Sequence, residues 1–317
     1  MAVTTTDIFG GGTGVEPATP GTYGVPPRGH RLPEATRVGR VRLQVSNLDR
    51  SLEFYGNVLG LRVVSRAGHR VEFAAQGDDR VLVELVAGDR VTAAGRAARL
   101  GLYHFAILLP DRAALGRFVE HLARLGVPAG AGDHLVSEAF YLRDPDGLGV
   151  EVYADRPRDA WRRIRRELQM ATDPVDVQAL RRVAAGTSWT GMPAGTVMGH
   201  VHLHVGDIAQ ATAFYADGLG FDRMTWSYPG ALFLAAGGYH HHLGVNTWAG
   251  PSAAPAGPGE ARLLEWTLEL PAASDVAAVT ASLESAGYSS EPADDDGLVT
   301  LDPWGTRLRV LHAAQAS

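Results

Sequence analysis

The 317-residue sequence contains no cysteine, which excludes disulfide bonds, thiolate metal ligands and a cysteine nucleophile. It has no apolar run of membrane-spanning length, and its N-terminus lacks the apolar segment of a signal peptide. The net charge is -6 and no Lys/Arg run is present, which argues against a nucleic-acid partner. These absences predict a soluble, cytoplasmic protein without nucleic-acid or membrane partners, whose metal ligands, where it has any, must be His, Asp or Glu.

The chain is built from internal repeats. Residues 39–61, GRVRLQVSNLDRSLEFYGNVLGL, align without a gap with residues 199–221, GHVHLHVGDIAQATAFYADGLGF. Each segment reads as an alternating strand, a polar turn and an amphipathic helix that ends at Leu-Gly. A second pair of repeats carries matching Asp-Pro-x-Gly turns at 144–147 and 302–305.

The repeats predict an α+β fold of four βαβββ modules, which span residues 38–90, 101–155, 197–248 and 261–313. The four modules form a first half over residues 37–160 and a second half over residues 197–317, with a helical linker over residues 161–196. Residues 1–36 are rich in Gly, Pro and Thr, so we expect an extended or disordered arm.

Three histidines alternate with aliphatic residues in MGHVHLHVGD, residues 198–207. Because successive side chains of a strand point to opposite faces, His200, His202 and His204 are expected to share one face. Such a row could supply metal ligands, a proton relay or only a polar face.

The repeat pattern resembles the vicinal oxygen chelate superfamily, which has the glyoxalase/bleomycin-resistance/dihydroxybiphenyl dioxygenase fold. In that family, paired βαβββ modules curl into open β-barrels around a metal, and the resemblance covers residues 38 to 313. It implies metal ligands midway along the first strand of a module and near the end of the fourth. At the first-strand position the four modules carry Arg42, His104, His202 and Glu265, and at the fourth-strand position two of them carry Glu151 and Arg309.

Modules one and four are not expected to bind a metal. Arginine is permanently cationic and has no lone pair for a metal ion. Arg42, Glu265 and Arg309 are therefore predicted to form a buried or partly buried charge cluster.

The ligands expected from the resemblance are His104, Glu151 and His202. Two imidazoles and one carboxylate form the facial triad of non-heme Fe(II) oxygenases, and Mn(II) uses the same ligands. The three side chains converge only if module two pairs with module three. The sequence thus predicts one metal barrel made by the central modules and a barrel without metal made by the outer modules.

Residues 132–151, GDHLVSEAFYLRDPDGLGVE, match the signature of extradiol ring-cleavage dioxygenases, including His134, Tyr141 and Glu151. The resemblance is closest to two-domain catechol 2,3-dioxygenase-like proteins. It implies an Fe(II)-dependent enzyme that opens the ring of a catechol or related dihydroxy-aromatic with O2. Tyr141 would then hydrogen-bond the ionised substrate oxygen, and His134 would contact the substrate.

A histidine cluster in GGYHHHLGVNTW, residues 237–248, belongs to the fourth strand of module three. Alternation places His240, His242 and Asn246 on the interior face. The resemblance implies that a histidine of this strand acts on the substrate and bound oxygen, and we predict His242 for that role, with His240 behind it.

The remaining polar residues are predicted to support the site. A strand has room for one residue at the metal, so His200 and His204 are expected either to orient ligands by hydrogen bonding or to be exposed near a strand end. Asn246 and Trp248 are expected behind the ligands or in the substrate pocket.

Two other functions fit the same fold. A glyoxalase-like isomerase or lyase would take a fourth metal ligand from HHHLGVN. A metal-free protein of the bleomycin-resistance type would bind a small molecule and would need no metal-coordinating residues. Association of barrel edges into a homo-oligomer is also left open by the sequence.

Overall fold

The structure is a computed structural model that describes residues 3–10, 14–95, 98–294 and 296–313. Each repeat forms one long strand, a helix and three further strands. The arm and module one contain α1 (Thr5–Phe9), β1 (Val15–Pro17), β2 (Arg37–Val45), α2 (Leu48–Glu53), β3 (Arg62–Ala67), β4 (Arg70–Ala74) and β5 (Val83–Ala87). Module two contains β6 (Gly101–Leu108), α3 (Arg112–Leu125), β7 (Gly130–Asp133), β8 (Ser137–Arg143) and β9 (Gly149–Asp155).

The second half of the chain repeats this order after a linker. The first half ends with a 3-10 turn (Arg158–Ala160), and the linker contains β10 (Arg162–Ile164), β11 (Glu167–Leu168) and α4 (Val177–Ala184). Module three contains β12 (Val197–His204), α5 (Ile208–Ala211), β13 (Asp222–Thr225), β14 (Ala231–Ala235) and β15 (Leu243–Asn246). Module four contains β16 (Arg262–Leu270), α6 (Ala273–Ser285), β17 (Ser290–Pro292), β18 (Leu298–Leu301) and β19 (Arg307–His312). In the part of the chain that is described, no helix has the length and apolar character needed to cross a membrane.

The four modules pair into two curled sheets of eight strands each. The strand order β13-β14-β15-β12-β6-β9-β8-β7 joins modules two and three into a central barrel. The order β17-β18-β19-β16-β2-β5-β4-β3 joins modules one and four into an outer barrel. Within each module the first and fourth strands are parallel, and the first strands of paired modules are antiparallel. The prediction of four βαβββ modules in two open barrels is confirmed, with modules paired two to three and one to four.

Local sequence signals account for the helices on the outside of the sheets. Helix α3 begins where the Asp111 side chain accepts a hydrogen bond from the Ala114 N–H, 2.7 Å away, and ends at Gly126 in the left-handed conformation. Its buried residues, including Leu115 and Phe118, lie at helical spacing and cover the sheet.

Buried hydrogen bonds connect the two barrels at equivalent places. The helices α2 and α5 each widen into a π-helical turn at the Phe-Tyr pair of the repeat. The Tyr55 hydroxyl then donates to Asp144 Oδ2 over 3.1 Å, and the Tyr215 hydroxyl donates to Asp302 Oδ2 over 2.9 Å. Both aspartates open Asp-Pro-x-Gly turns, so the repeated motifs stabilise the junctions between modules.

The arm and linker are more ordered than the sequence indicates. Strand β1 of the arm pairs with β10 of the linker. The buried Tyr23 hydroxyl donates to the Gly238 carbonyl over 2.6 Å, and Arg31 pairs with Asp222. The described arm is therefore extended rather than disordered. The linker forms a short hairpin of β10 and β11 before helix α4. The arm adds β1 to this hairpin, and a partner so distant in the sequence cannot be recognised from the linker residues alone.

Candidate metal centre

Three buried side chains from neighbouring strands of the central barrel meet at one point. His104 Nε2 lies 3.0 Å from Glu151 Oε2, and His200 Nε2 lies 3.2 Å from the same oxygen. The two imidazole nitrogens are 3.4 Å apart. Among the described residues, this is the one group of three or more His, Asp or Glu side chains whose potential ligand atoms all lie within 4.8 Å of one another.

Strand register explains why these three residues meet. Glu151 on β9 pairs with Ala106 on β6, and Ala106 pairs in turn with His200 on β12. Ala106 carries only a methyl group, so space is left between the carboxylate and the imidazole on either side of it. His104, two residues along the same face of β6, completes the group.

The protonation states suit a divalent cation. Burial by itself would raise the pKa of the Glu151 carboxyl, but His200 and hydrogen bonds from both imidazoles outweigh burial and hold this pKa well below its usual value. Burial lowers the pKa of His200 to about 4, so its ring is neutral at pH 7. Two imidazole nitrogens and a carboxylate oxygen in this arrangement fit a transition metal such as Fe(II), Mn(II) or Zn(II).

His202, the predicted third ligand, lies outside this cluster. The Trp248 N–H donates to Asn246 Oδ1 over 3.0 Å, which identifies this atom as the amide oxygen. The other amide atom, Nδ2, therefore donates to His202 Nε2 over 2.9 Å. This hydrogen bond occupies the lone pair that a metal would need, so His200 rather than His202 stands beside His104 and Glu151.

A polar network extends from His202 along the same face. His204 Nδ1 donates to Asn246 Oδ1 over 2.7 Å, so the buried Asn246 amide joins the two histidines. The rings of Tyr103 and Trp248 pack against His202 with centroid distances of 5.1 and 5.6 Å. His204, Asn246 and Trp248 thus surround His202, whose ring borders the cluster through His104; the supporting or pocket role predicted for these three residues remains a prediction.

Tyr141 and His134 lie together at the other side of the cluster. Tyr141 is paired with Glu151 across β8 and β9. His134 Nδ1 donates to the Ala171 carbonyl over 2.6 Å, so its Nε2 accepts from the Tyr141 hydroxyl over 2.5 Å. Burial and the charge of Glu151 raise the pKa of Tyr141 well above its usual value, so the phenol remains protonated. The signature residues therefore converge.

The three consecutive histidines take different directions from those predicted by alternation. Residues 240–242 precede β15 and have irregular backbone, so the two-residue period does not apply to them. The His241 ring lies 4.0 Å from the His200 ring, between centroids. His242 accepts a hydrogen bond from the Ala236 N–H over 3.2 Å and packs on Tyr239. His241, not His242, is next to the candidate metal centre.

His240 lies behind His241. Its Nδ1 is 2.7 Å from His241 Nδ1, and its Nε2 is 2.9 Å from Asp155 Oδ1. His240 was predicted to stand behind His242, whereas in the structure its Nδ1 contacts His241.

Two cavities give access to this region. One of about 450 Å³ is lined by Tyr103, His104 and Tyr141 together with Arg143. A second of about 460 Å³ shares Tyr103 and Arg143 and extends to His204. Each volume is sufficient for a single-ring aromatic molecule. Tyr103 was not singled out from the sequence, since an aromatic residue next to a histidine on a strand is equally typical of a packed core.

The outer barrel carries ion pairs at the corresponding positions. Arg42 Nε lies 2.9 Å from Glu84 Oε1, and Arg309 Nε lies 3.1 Å from Glu265 Oε1. The predicted pairing of Arg309 with Glu265 is confirmed, whereas Arg42 pairs with Glu84 of the fourth strand of module one, a residue that was not predicted.

Comparisons with known proteins show the family of the chain. A family profile described as Glyoxalase/Bleomycin resistance protein/Dioxygenase superfamily matches residues 37–152 and 197–309. The chain is 44% identical over 265 residues to the catechol-2,3-dioxygenase of Bacillus subtilis (strain 168), covering 83% of this chain and 92% of that protein. It is 30% identical over 125 residues to metapyrocatechase 2 of Cupriavidus necator, covering 38% and 36%.

Solved structures share the fold. A putative dioxygenase from Bacillus subtilis superposes with a TM-score of 0.63 at 14% identity, covering 89% of this chain and 86% of the other. Glyoxalase I from Zea mays superposes with a TM-score of 0.50 at 16% identity, covering 87% and 92%.

Proposed function

Because the chain belongs to the Glyoxalase/Bleomycin resistance protein/Dioxygenase superfamily, we propose that it is an Fe(II)-dependent extradiol dioxygenase. Its substrates are a catechol or related dihydroxy-aromatic and O2, and Mn(II) would fit the same ligands. The observation that carries this proposal is the His104, Glu151 and His200 cluster, which lies beside the Tyr141–His134 pair. The 44% identity to a catechol-2,3-dioxygenase supports the choice of reaction class.

The ligands for the metal come from three strands of one sheet. Nε2 of His104, Nε2 of His200 and a carboxylate oxygen of Glu151 would hold it, and three protein ligands leave positions for substrate and O2. When bound, Fe(II) supplies a site where both reactants can bind and exchange electrons. The reaction breaks the ring bond next to the diol, and both oxygen atoms of O2 enter the ring-opened product.

Tyr141 and His134 would orient the substrate. Tyr141 keeps its proton, so it acts as a hydrogen-bonding group rather than as a base. His134 is fixed by the Ala171 carbonyl and in turn fixes the Tyr141 hydroxyl. A preorganised hydroxyl of this kind stabilises negative charge on a substrate oxygen better than water does.

His241 would take the catalytic role that was predicted for His242. Its ring is buried against His200, and its Nδ1 is held by His240. Nε2 is then the nitrogen available to exchange a proton with the substrate. His242 accepts a hydrogen bond from the Ala236 N–H and packs on Tyr239, so we assign it a structural role.

Oxygen consumption on a panel of catechols tests this function. The protein is loaded anaerobically with Fe(II), and O2 uptake is recorded with the appearance of a yellow ring-opened product. We expect uptake with at least one catechol and none with its mono-methyl ether, which cannot chelate through two ionisable oxygens. The Glu151→Gln variant, loaded in the same way, serves as the inactive control.

The same experiment distinguishes the alternatives. Turnover of a hemithioacetal by the Zn(II) or Ni(II) form, without O2 uptake on any catechol, would identify a glyoxalase-like isomerase. Tight binding of an aromatic ligand by metal-free protein, again without O2 uptake, would identify a binding protein.

A further inference from the structure

A chain of hydrogen bonds runs behind the candidate metal centre. It begins at Asp155, at the end of β9, whose side chain is 30% exposed. Asp155 Oδ1 lies 2.9 Å from His240 Nε2, and His240 Nδ1 lies 2.7 Å from His241 Nδ1. The chain ends at His241, whose ring lies against that of His200. It therefore connects a carboxylate at the edge of the barrel with the imidazole closest to the ligands.

The chemistry of Asp155 fixes the direction of these hydrogen bonds. An ionised carboxylate can only accept, so a neutral His240 must carry its proton on Nε2. His240 Nδ1 then presents a lone pair and accepts from the Nδ1–H of His241. It follows that His241 has no proton on Nε2, which is the nitrogen turned away from His240.

The surroundings of Asp155 reinforce this assignment. The Tyr239 hydroxyl also donates to Asp155 Oδ1, over 3.1 Å, and lies 2.7 Å from the Tyr153 hydroxyl. The His240 ring is fully buried, 4.0 Å from the Tyr239 ring and 5.6 Å from the Trp161 ring, between centroids. These contacts prevent the His240 ring from turning to another partner.

We propose that Asp155 is a positioning residue that acts through His240 to hold His241 in the tautomer with an unprotonated Nε2. In this tautomer His241 can accept the hydroxyl proton of a bound catechol, whereas the opposite tautomer can only donate. The inference rests on the proposed function for its catalytic meaning, but the tautomer itself is a property of the protein without metal or substrate.

Nuclear magnetic resonance on metal-free protein tests the tautomer directly. Histidine is labelled with nitrogen-15, and long-range proton–nitrogen correlations at pH 8 identify which ring nitrogen carries hydrogen. The His241 signals are assigned by their loss in His241→Gln. We expect Nδ1–H for His241 and Nε2–H for His240. A wild-type His241 that carries its proton on Nε2 would overturn the proposal by itself.

Substitution of Asp155 should reverse the direction of the hydrogen bonds from Asp155 to His241. In Asp155→Asn the side-chain amide can donate to His240 Nε2, which moves the His240 proton to Nδ1 and the His241 proton to Nε2. Asp155→Glu keeps an accepting carboxylate and should retain the wild-type tautomers. Asp159→Asn removes the same charge from an exposed position four residues away and should change neither ring. Unaltered tautomers in folded Asp155→Asn would contradict the proposal.

Kinetics of the Fe(II) form give the second readout. Loss of a correctly protonated base lowers rates by about 100-fold or more, so kcat of Asp155→Asn should fall by this factor. Metal content and KM for catechol should stay near wild type, and Asp155→Glu should restore part of kcat. Equal kcat in wild type and Asp155→Asn would contradict the role of Asp155, whereas absence of O2 uptake in wild type would contradict only the proposed function.

Discussion

His104 and His202 are directly opposite each other on neighbouring antiparallel strands, with ring centroids 5.0 Å apart, yet only His104 reaches Glu151. His202 is tied to Asn246, and the imidazole that joins His104 and Glu151 is His200, two residues earlier on β12. Two of the three candidate ligands, Glu151 and His200, therefore lie on one row of paired residues with Ala106 between them, and His104 completes the cluster from the same face.

Metal retention should separate the two histidines. In His200→Ala one of three ligands is lost, and we expect metal content after dialysis to fall below a tenth of wild type. His202→Ala removes a ring that only borders the cluster, so its affinity should fall by about 10-fold or less. The content is measured by atomic emission on protein loaded with Fe(II) or Mn(II) without oxygen. Retention by His200→Ala together with loss by His202→Ala would restore the assignment predicted from the sequence.

Removal of the Tyr141 hydroxyl should affect turnover more than metal binding. Tyr141→Phe deletes the group that His134 holds toward the cluster, and loss of one such preorganised donor costs about 100-fold in kcat. Metal content should equal that of wild type because Tyr141 is not among the ligands. Steady-state O2 uptake gives kcat. Tyr103→Phe is the matched control, since it removes a hydroxyl from the same cavity without touching the Tyr141–His134 pair.

Gly149 should be intolerant of any side chain. A Cβ at this position would lie 2.1 Å from the Tyr103 carbonyl oxygen and 3.0 Å from His104 Cβ. We expect Gly149→Ala to lower the free energy of unfolding by about 1–3 kcal/mol, as overpacked cores do. Gly130→Ala, whose Cβ would meet Tyr141 Cβ at an ordinary 3.6 Å, is the control and should change stability by less than about 0.5 kcal/mol. Urea unfolding of both variants measures the difference. Equal stability of Gly149→Ala and Gly130→Ala would contradict the prediction, because it would mean that the strands carrying Gly149 and Tyr103 can move apart without loss of stability.

The buried His242 should make stability depend on pH. Burial, with a contribution from His240, lowers the pKa of His242 to about 3 in the folded protein, against a usual value of about 6.5. Between these values the unfolded chain binds the extra proton, so the free energy of unfolding falls as pH decreases through this window. The contribution approaches about 1.4 kcal/mol per pH unit. Urea unfolding between pH 5 and 7 should give a shallower slope for His242→Gln, and an unchanged slope would contradict the assignment.

The outer barrel should depend on Glu84 for stability but not for metal binding. Glu84 is fully buried, with Arg42 Nε at 2.9 Å and Arg70 Nε at 2.7 Å. Glu84→Gln leaves these arginines without their shared carboxylate, and because both are partly exposed we expect a loss of about 2 kcal/mol. Glu72→Gln alters a more exposed carboxylate of the same cluster and should cost less than about 1 kcal/mol. Chemical unfolding with parallel metal analysis checks both expectations.

Much of the candidate site follows from sequence spacing alone. The Asp-Pro-x-Gly turn sets the distance between Tyr141 and Glu151 on adjacent strands, so their convergence needs no long-range information. The gap-free repeat likewise predicts the modules, and the resemblance to the vicinal oxygen chelate superfamily implies that they pair into barrels. The need to bring His104 and a histidine of β12 together was sufficient to predict the pairing of modules two and three.

The choice among neighbouring histidines could not be made in this way. His200 and His202 both align with arginines of module one, Arg40 and Arg42, so the repeat does not distinguish them. The pairing of His200 with Ala106, which is itself paired with Glu151, and the hydrogen bond from Asn246 to His202 decide between them, and both depend on partner strands.

The amino-acid sequence by itself determined the modules, the barrels and the set of residues from which ligands could come, because periodicity and turn chemistry are local. Tertiary structure alone decided that His200 joins His104 and Glu151, and that His241 rather than His242 lies next to them. The physical reason is that register between distant strands and irregular backbone before β15 set the direction of each ring, and neither property is encoded in a short stretch of sequence.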